Sequence, residues 1–559
     1  MRCAPLILCL PFLLAACGQD APGTNREALA RLAPDITADD IAQHVQVLAS
    51  DEFEGRAPAS EGEKKTLAYL SAQFSAMGLT PANGASFFQD VPLVSITADA
   101  KTARARFARG DEVRDLAYLD DMMIWTKRLR KSVDVADSDV VFVGYGINAP
   151  EYGWNDYDGV DVHGKTVLIL INDPGFATGD PALFNGKAMT YYGRWTYKYE
   201  EAARQGAAAA IIIHETEPAA YPWDVVSGSW SGAQFDLERE DGNAGRVAIE
   251  GWIQERIARA LLETAGLTLE EAHRLALDRG FKARPLGLAF SAHVDNVIAH
   301  SRSHNVAALL RGSEHPDETI IYMAHWDHLG RGPADASGDD IYNGALDNAT
   351  GVAGLLEIAQ KFASLPERPK RSILFLAVTA EEQGLLGSAY YATHPLVPPE
   401  KTVAAINMDG LNILGPMDDI TVIGWGQNSL QDLLAAAAQA QGRTIAPEPT
   451  PEHGYFYRSD HFSLAKVGIP VLYTDAGVMS REHGRDWALE QRQKYITEAY
   501  HKPADEYSPD WDLRGAVDDL ELFYAVGARL ANSEIWPEWA ADSEFRAARE
   551  ASRGADSAG

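Results

Sequence analysis

The feature that most constrains the fold is an alternation of short apolar strands with amphipathic helices between residues 293 and 535. Four apolar runs are candidate strands: 320–324, 373–378, 403–407 and 471–473. After the first run, apolar residues recur at helical spacing on one face, at Val352, Leu355, Leu356, Ala359 and Phe362. Strands that alternate with helices predict a doubly wound α/β sheet, in which ligands bind beyond the carboxyl ends of the strands.

Polar residues that can bind metal follow these runs where each strand is expected to end. Run 320–324 is followed by His325, Asp327 and His328, and run 373–378 by Glu381 and Glu382. Asp409 follows run 403–407, and Asp347 lies in the loop before the helix that begins near Thr350. Any one such cluster occurs by chance in many proteins. Four clusters at one edge of one sheet predict a single site.

The residue types point to a hydrolytic zinc centre. All three cysteines lie within the first 17 residues, so a metal bound by the remaining chain must use imidazole and carboxylate ligands. Two zinc ions about 3.5–4 Å apart can share a carboxylate and lower the pKa of a water molecule. Of two adjacent glutamates, one can bind metal while the other transfers protons.

These residues resemble the secreted di-zinc aminopeptidases, whose catalytic domain is a zinc-exopeptidase α/β sandwich. The matching segments are 324–327, 344–348, 379–384, 407–410 and 500–505, and the residues from Leu48 to Arg56 with the helix up to Met77 also resemble the family. The resemblance implies that Asp347 bridges two Zn²⁺ ions. It places His325 and Asp409 on one ion, and Glu382 and His501 on the other.

The same resemblance implies three further roles. Glu381 is expected to be the general base, Asp327 to orient His325, and Tyr500 to donate to the oxyanion of the tetrahedral intermediate. His328 is expected to be a surface or supporting residue rather than a ligand. Other candidates lie at 455–461: Tyr455, Phe456 and Tyr457 either line a side-chain pocket or pack in the core, and Ser459, Asp460 and His461 are interpreted as substrate-positioning residues, not as a serine triad.

A different unit occupies residues 110–292. Short apolar runs at 140–143, 165–171 and 208–213, with a helical piece at 200–205, resemble a β-rich protease-associated domain inserted into the peptidase. We expect this insert to be a structural lid or spacer. The peptidase domain is then discontinuous, with an N-terminal part at 37–109, a catalytic part at 293–535 and a polar tail at 536–559, which is expected to be frayed beyond about Ser543.

The first 17 residues have the pattern of an export signal. Arg2 precedes an apolar stretch at 5–14 that is short for a membrane span, and Leu14-Ala15-Ala16-Cys17 resembles the lipobox of bacterial lipoproteins. We expect a signal peptide at 1–17, a lipid on Cys17, a tether at 18–36, and a periplasmic or cell-envelope location. The alternative is an ordinary cleaved signal peptide. The net charge of −31 argues against nucleic acid and anionic membrane surfaces as partners, which leaves the lipid as the expected membrane attachment.

The predicted function is hydrolysis of N-terminal residues from peptides with free N-termini, through a water activated by two Zn²⁺ ions. Three alternatives stay open on the same residues. One is glutaminyl cyclisation with a single zinc, and a second is carboxypeptidase or dipeptidase activity with the same metals. The third is a non-catalytic binding scaffold, although such relatives lose ligands and every ligand type is present here.

Overall fold

The structure is a computed structural model that describes residues 35–556. The predicted signal peptide with Cys17, and the tether up to residue 34, lie outside the described residues. Within residues 35–556, no helix combines the length and apolar character needed to cross a membrane.

The helices and strands of the described chain fall into a segment before the site residues and a segment that carries them. The segment before the site residues contains α1 (Ala38–Leu48), α2 (Glu61–Ala76), β1 (Thr80–Pro81), β2 (Phe88–Ala98), β3 (Arg104–Arg109), β4 (Glu112–Leu116), β5 (Met122–Trp125), β6 (Ser132–Phe142), β7 (Asn148–Ala149), β8 (Trp154–Asn155), β9 (Thr166–Leu170), α3 (Pro174–Thr178), α4 (Trp195–Arg204), β10 (Ala209–His214), α5 (Thr216–Ala219), α6 (Trp223–Ser229), β11 (Ala233–Leu237), β12 (Ile249–Gln254), α7 (Glu255–Thr264), α8 (Leu269–Ala276) and β13 (Arg284–Leu310). The segment that carries the site residues contains β14 (His315–His325), β15 (Gly330–Arg331), β16 (Ile341–Tyr342), α9 (Thr350–Ala363), β17 (Arg371–Val378), α10 (Leu386–Thr393), β18 (Thr402–Asn407), β19 (Asp419–Val422), α11 (Leu430–Ala440), β20 (Thr444–Pro447), α12 (His461–Lys466), β21 (Val471–Ala476), α13 (Gly484–Glu498), α14 (Arg514–Ala531) and α15 (Arg546–Asp556).

The main sheet is mixed, with a parallel centre. β14 pairs in parallel with β17 and β18, and β18 pairs in parallel with β21. β13 and β19 flank this centre as antiparallel neighbours of β17 and β21. Every residue of β17 and β18 is buried, as expected for a sheet covered on both faces. The predicted doubly wound mixed α/β sheet is confirmed, and the four predicted central strands are β14, β17, β18 and β21.

Helices cover both faces of this sheet. Ile320 and Tyr322 of β14 lie in a core shared with α1, α2, α9, α11 and α14, whereas Ile321 and Met323 lie in a core shared with α10 and α12. Successive residues of a strand point to opposite faces, which explains this division. The N-cap of α1 is Thr37, whose hydroxyl accepts a hydrogen bond from the Asp40 amide. The N-terminal helices therefore complete the same core as the segment that carries the site residues.

A second sheet is built by the chain between α2 and β14. It contains β3, β4, β5, β6, β9, β10 and β12, with parallel pairing from β6 through β9 and β10 to β12. Two further hydrophobic cores lie on its faces. β13 connects the two sheets, because its first half pairs with β3 and β6 and its second half with β2 and β17. β13 could not be predicted from an apolar run, because polar and apolar residues alternate along it.

Residues 536–556 pack against the main domain. Trp539 and Phe545 are buried in the core that holds α12, and the Trp539 indole N–H donates to the Gly468 carbonyl oxygen at 2.9 Å. The guanidinium of Arg549, in α15, donates to the carbonyl oxygens of Pro399 and Thr402. The expectation of a frayed polar tail is therefore wrong for these residues. Two buried aromatic rings hold a segment whose average composition is polar.

Candidate metal centre

The candidate site lies at the carboxyl edge of the main sheet. β14 ends at His325, the turn after β17 carries Glu381 and Glu382, and Asp409 follows β18. Because β14, β17 and β18 are parallel neighbours, these three ends meet at one edge. Asp347, in the loop that enters α9, and His501, in the loop after α13, approach the same edge.

His325 has two carboxylate neighbours. Its Nε2 atom lies 3.2 Å from Oδ1 of Asp347 and 3.2 Å from Oδ1 of Asp409. The Ser459 hydroxyl donates to the second oxygen of Asp409 at 2.5 Å, which holds that carboxylate in place. His325 is almost completely buried, so this group of three ligand atoms lies inside the domain.

His501 defines a second group on the other side of Asp347. Its Nε2 atom lies 3.3 Å from Oδ2 of Asp347 and 3.1 Å from Oε2 of Glu382. The two oxygens of Asp347 therefore face different imidazoles, Oδ1 toward His325 and Oδ2 toward His501. This is the arrangement expected of a carboxylate that bridges two cations.

The separations between these atoms fit zinc. Two donor atoms bound to one tetrahedral zinc ion at 2.0–2.1 Å lie about 3.3 Å apart. The four imidazole–carboxylate separations around His325 and His501 range from 3.1 to 3.3 Å. The donors, imidazole nitrogen and carboxylate oxygen, are also those that zinc prefers where thiolates are absent.

The electrostatics of the site favour a positive charge between these groups. Although burial alone lowers the pKa of His501, the carboxylates of Asp347 and Glu382 raise it to about 10. Burial likewise lowers the pKa of His325, but the negative charges of Asp409 and Glu381 have the larger effect. The pKa of His325 therefore lies well above its usual range. Carboxylates that stabilise a proton on these rings would also stabilise a metal cation in its place.

Loops that carry the carboxylates are held by side-chain hydrogen bonds. Asp505 is buried and accepts hydrogen bonds from the amides of Leu346 and Asp347 at 2.9 and 3.1 Å. The Asn348 side-chain oxygen accepts from the Gly410 amide at 3.0 Å, which ties the loop of Asp347 to the loop of Asp409. Neither role was predicted for Asp505 or Asn348, although both lie in segments that resemble the family.

Asp327 contacts its neighbours differently from the expectation. The Nδ1 atom of His325 lies 3.1 Å from the main-chain oxygen of Asp327 and 3.8 Å from its carboxylate. The carboxylate instead accepts a hydrogen bond from the Glu381 amide at 3.1 Å. Asp327 therefore orients His325 through its main chain and fixes the turn of Glu381 through its side chain.

Glu381 lies beside the metal-facing groups, and no described side chain pairs with its carboxylate as an ion pair. Burial raises the pKa of Glu381 well above its usual range, and the neighbouring carboxylates of Glu382 and Asp409 raise it further, against the opposing effect of His325. A carboxyl group with a raised pKa can hold and release a proton near neutral pH.

The rings of Tyr500 and His501 stack, with centroids 3.9 Å apart. The Tyr500 side chain is 43% exposed, so its hydroxyl can reach solvent or substrate at the rim of the site. At the other candidate positions, Ser459 touches Asp409, whereas Asp460 and His461 are buried behind it. Phe456 and Tyr457 belong to a hydrophobic core, and Tyr455 is partly buried beside it.

Two residues near the site were given no specific contact by the sequence analysis. Of the two expectations for His328, a surface or a supporting residue, the structure favours the second, because His328 is buried and its Nδ1 atom lies 2.5 Å from Oε1 of Glu382. One of its ring nitrogens also groups with ligand atoms of Asp347 and Glu382. Arg56 is buried, and its guanidinium donates to main-chain oxygens of Trp326 and Gly344. The His-x-Asp-His spacing is the sequence signal that could have pointed to His328. For Arg56 the signal is a charged residue at the end of the segment 50–56.

With this geometry in place, comparison with known proteins shows what the central segment is similar to. Residues 305–525 match the model of Peptidase family M28. The M28 segment contains every residue that the sequence analysis assigned to the site, together with the parallel strands that position them. It does not include the insert or the N-terminal helices.

Curated relatives match over shorter stretches. A probable zinc metalloprotease of Pyrenophora teres f. teres is 41% identical over 104 residues, which are 19% of this chain and 22% of that protein. The mouse aminopeptidase NAALADL1 is 31% identical over 160 residues, which are 28% of this chain and 19% of that protein. This chain thus spans about a fifth of the length of these relatives.

Solved structures match over more of the chain at lower identity. An aminopeptidase from Aneurinibacillus sp. strain AM-1 is 20% identical with a TM-score of 0.46, and the match covers 89% of this chain and 95% of that one. BSAP, a zinc aminopeptidase from Bacillus subtilis, is 16% identical with a TM-score of 0.41, covering 92% of this chain and 100% of that one.

Proposed function

We propose that the protein is a zinc-dependent aminopeptidase that holds two Zn²⁺ ions and removes N-terminal residues from peptides. The observation that carries this proposal is the position of Asp347, whose two oxygens lie 3.2 and 3.3 Å from the Nε2 atoms of two different histidines. His325 and Asp409 complete one proposed site, and Glu382 and His501 complete the other. The match of residues 305–525 to Peptidase family M28 supports hydrolysis of peptide bonds.

Each residue of the proposed site has a chemical role. When bound, the zinc pair would polarise the scissile carbonyl and lower the pKa of a water molecule. Glu381 accepts the proton of that water and delivers it to the leaving amine, which its raised pKa favours. Tyr500, whose ring stacks on that of His501, would donate to the oxyanion.

The excess of carboxylates supports a substrate with a free amino terminus. The carboxylates of Asp327, Asp347, Glu381, Glu382 and Asp409 outnumber the imidazoles of His325, His328 and His501 that lie among them. A positively charged α-amine is favoured there by the same electrostatics that favour a metal cation. A blocked N-terminus removes this interaction.

Replacing Glu381 tests the proposed base. In a panel of aminoacyl chromogenic substrates, we expect Glu381→Gln to lower kcat at least about 100-fold, because glutamine cannot accept the proton. Metal analysis should show that the variant keeps its zinc, since Glu381 is not a proposed ligand. Glu490→Gln, at an exposed position of α13, is the matched control and should leave turnover unchanged. Near-normal activity of Glu381→Gln would refute the assignment.

The alternatives are separated by blocked substrates and by zinc content. An aminopeptidase should not cleave a peptide whose N-terminus is acetylated and should still cleave one whose C-terminus is amidated. A carboxypeptidase should show the reverse, and a dipeptidase should cleave neither peptide. One zinc per chain together with cyclisation of an N-terminal glutaminyl peptide would favour the cyclase. Zinc binding without turnover of any of these peptides would favour the scaffold.

The location and the insert are also proposals. A lipid on Cys17 would anchor the protein in the cell envelope, and Cys17→Ser should abolish metabolic labelling with palmitate and release the protein from membranes.

The insert at 110–292, which resembles a protease-associated domain, is proposed as a structural lid or spacer. The chemistry described above uses no residue from it.

A further inference from the structure

His328 is a buried imidazole beside a proposed metal ligand. Its side chain has no solvent exposure, and Nδ1 lies 2.5 Å from Oε1 of Glu382. Among the described residues, neither ring nitrogen of His328 has a well-aligned hydrogen-bond partner, and Oε1 of Glu382 has none either. Buried polar groups are nearly always paired, so these atoms require an explanation.

The two oxygens of Glu382 face different histidines. Oε2 lies 3.1 Å from Nε2 of His501, close to the spacing of about 3.3 Å for two donors on one tetrahedral zinc ion. Oε1 lies 2.5 Å from Nδ1 of His328, which is too short for two ligands of the same ion. This contact brings an imidazole nitrogen that can donate against a carboxylate oxygen that can accept.

The backbone around His328 is shaped to hold its ring. Gly344 has a φ of +55°, and a Cβ atom there would lie 2.4 Å from Cγ of His328, so only glycine lets the ring occupy this position. On its other side, the ring meets His501 edge to face, with centroids 5.7 Å apart. Contacts on two sides restrict the ring to an orientation that faces Glu382.

We propose that His328 is a positioning residue, which donates from Nδ1 to Oε1 of Glu382 and so directs Oε2 toward the cation shared with His501 and Asp347. This inference rests on the proposed two-zinc site and adds a residue that binds no metal itself. Groups that orient a metal ligand in this way are worth about 10–100-fold in metal affinity. The effect should fall on the Glu382–His501 site, because the His325–Asp409 site shares only Asp347 with it.

Metal titration of the full chain tests this role without relying on turnover. The metal-free protein is titrated with Zn²⁺ by calorimetry, and with Co²⁺ by visible absorption. For His328→Ala we expect one of the two sites to weaken about 10–100-fold while the other keeps its affinity. His328→Asn should largely restore the weakened site, because its amide nitrogen occupies the place of Nδ1. His328→Gln places its amide nearer to Nε2 and should resemble His328→Ala.

His44→Ala is the matched control, since His44 is equally buried and also lies beside a glutamate, 3.7 Å from Glu357, outside the site. It should leave both metal affinities unchanged, and circular dichroism should show that all variants are folded. The inference is overturned if His328→Ala binds both ions as the wild type does, or if folded His328→Asn is as weak as His328→Ala. A wild type that binds only one zinc would overturn the two-zinc proposal itself, and this inference with it.

Discussion

At the residue scale, Arg56 links three segments of the domain that carries the candidate metal centre, through main-chain oxygens. Its guanidinium donates to the carbonyls of Leu48, Trp326, Asn343 and Gly344 at 2.7–2.9 Å. Trp326 precedes Asp327, and Gly344 precedes the loop of Asp347. One buried cation thus holds the two loops that carry metal-facing residues.

Arg56→Ala is expected to lower the free energy of unfolding by about 3 kcal/mol or more, because several buried carbonyls lose their donor. Arg56→Lys should recover only part of the loss, since an ammonium cannot reproduce the planar fork of donors. Urea denaturation of the metal-free protein measures both changes. Arg331→Ala, at a half-exposed arginine paired with Asp340, is the control and should change stability by less than about 0.5 kcal/mol. Equal stability of Arg56→Lys and wild type would contradict this role.

At the element scale, α1 and α9 meet around a buried pair of titratable groups. Nε2 of His44 lies 3.7 Å from Oε1 of Glu357, and both side chains are 1% exposed. Burial lowers the pKa of His44 from 6.5 to about 4, partly offset by Asp40. Burial also raises the pKa of Glu357 from 4.5 to about 8. Near neutral pH this contact therefore joins two uncharged side chains.

These shifts predict how stability depends on pH. Between pH 4.5 and 8 the folded protein holds a proton on Glu357 that the unfolded chain releases, so the contribution of Glu357 to stability falls as pH rises. The contribution of His44 has the opposite slope below pH 6.5 and is constant above it. Between pH 6.5 and 8 the loss due to Glu357 is therefore separated from the effect of His44, and it amounts to about 2 kcal/mol.

Glu357→Gln should remove this fall, because glutamine stays neutral at every pH in the range. The measurement is urea denaturation from pH 6.5 to 8 at constant ionic strength, and the informative quantity is the difference in unfolding free energy between wild type and variant. Glu61→Gln, at an exposed position of α2, should leave the pH dependence as in wild type. A difference that does not change with pH would show that Glu357 is already ionised in the folded state.

At the scale of the whole molecule, β13 joins two sheets that have separate hydrophobic cores. The candidate metal centre belongs to only one of them. A ligand that binds the folded state stabilises the structure that contains its site, by about 2.7 kcal/mol when its concentration is 100 times its Kd. In addition, the carboxylates around Asp347 repel one another when no cation lies between them.

Removal of metal should therefore loosen the core around the candidate metal centre selectively. In hydrogen exchange followed by mass spectrometry, chelation should increase exchange in peptides covering 325–350, 379–411 and 499–506. Peptides from β6, β9 and β10 in the second sheet should exchange as before. Adding Zn²⁺ back should restore protection, and Mg²⁺ at the same concentration should not, because the site offers imidazole ligands. A uniform increase across both sheets would contradict a metal site confined to one core.

Much of this protein could be predicted from local pattern. Apolar runs predict β14, β17, β18 and β21, since a strand buried on both faces needs apolar residues at nearly every position. Helical periodicity predicts α9, and the resemblance to the family includes α2. Absence of cysteine beyond Cys17 limits the ligands to imidazole and carboxylate, and the strand ends indicate which residues carry them.

Other features exist only through tertiary structure. β13 is held by partners on two sheets rather than by its own apolar content, and residues 536–556 are held by contacts of Trp539 and Phe545. Sequence spacing could not reveal that Asp327 orients His325 through its main chain, or that His328 is buried against Glu382. The hydrophobic pattern of a segment indicates which residues of its own strand or helix are buried. Which buried charges face one another depends on how distant segments pack, and in this protein that packing determines the metal centre.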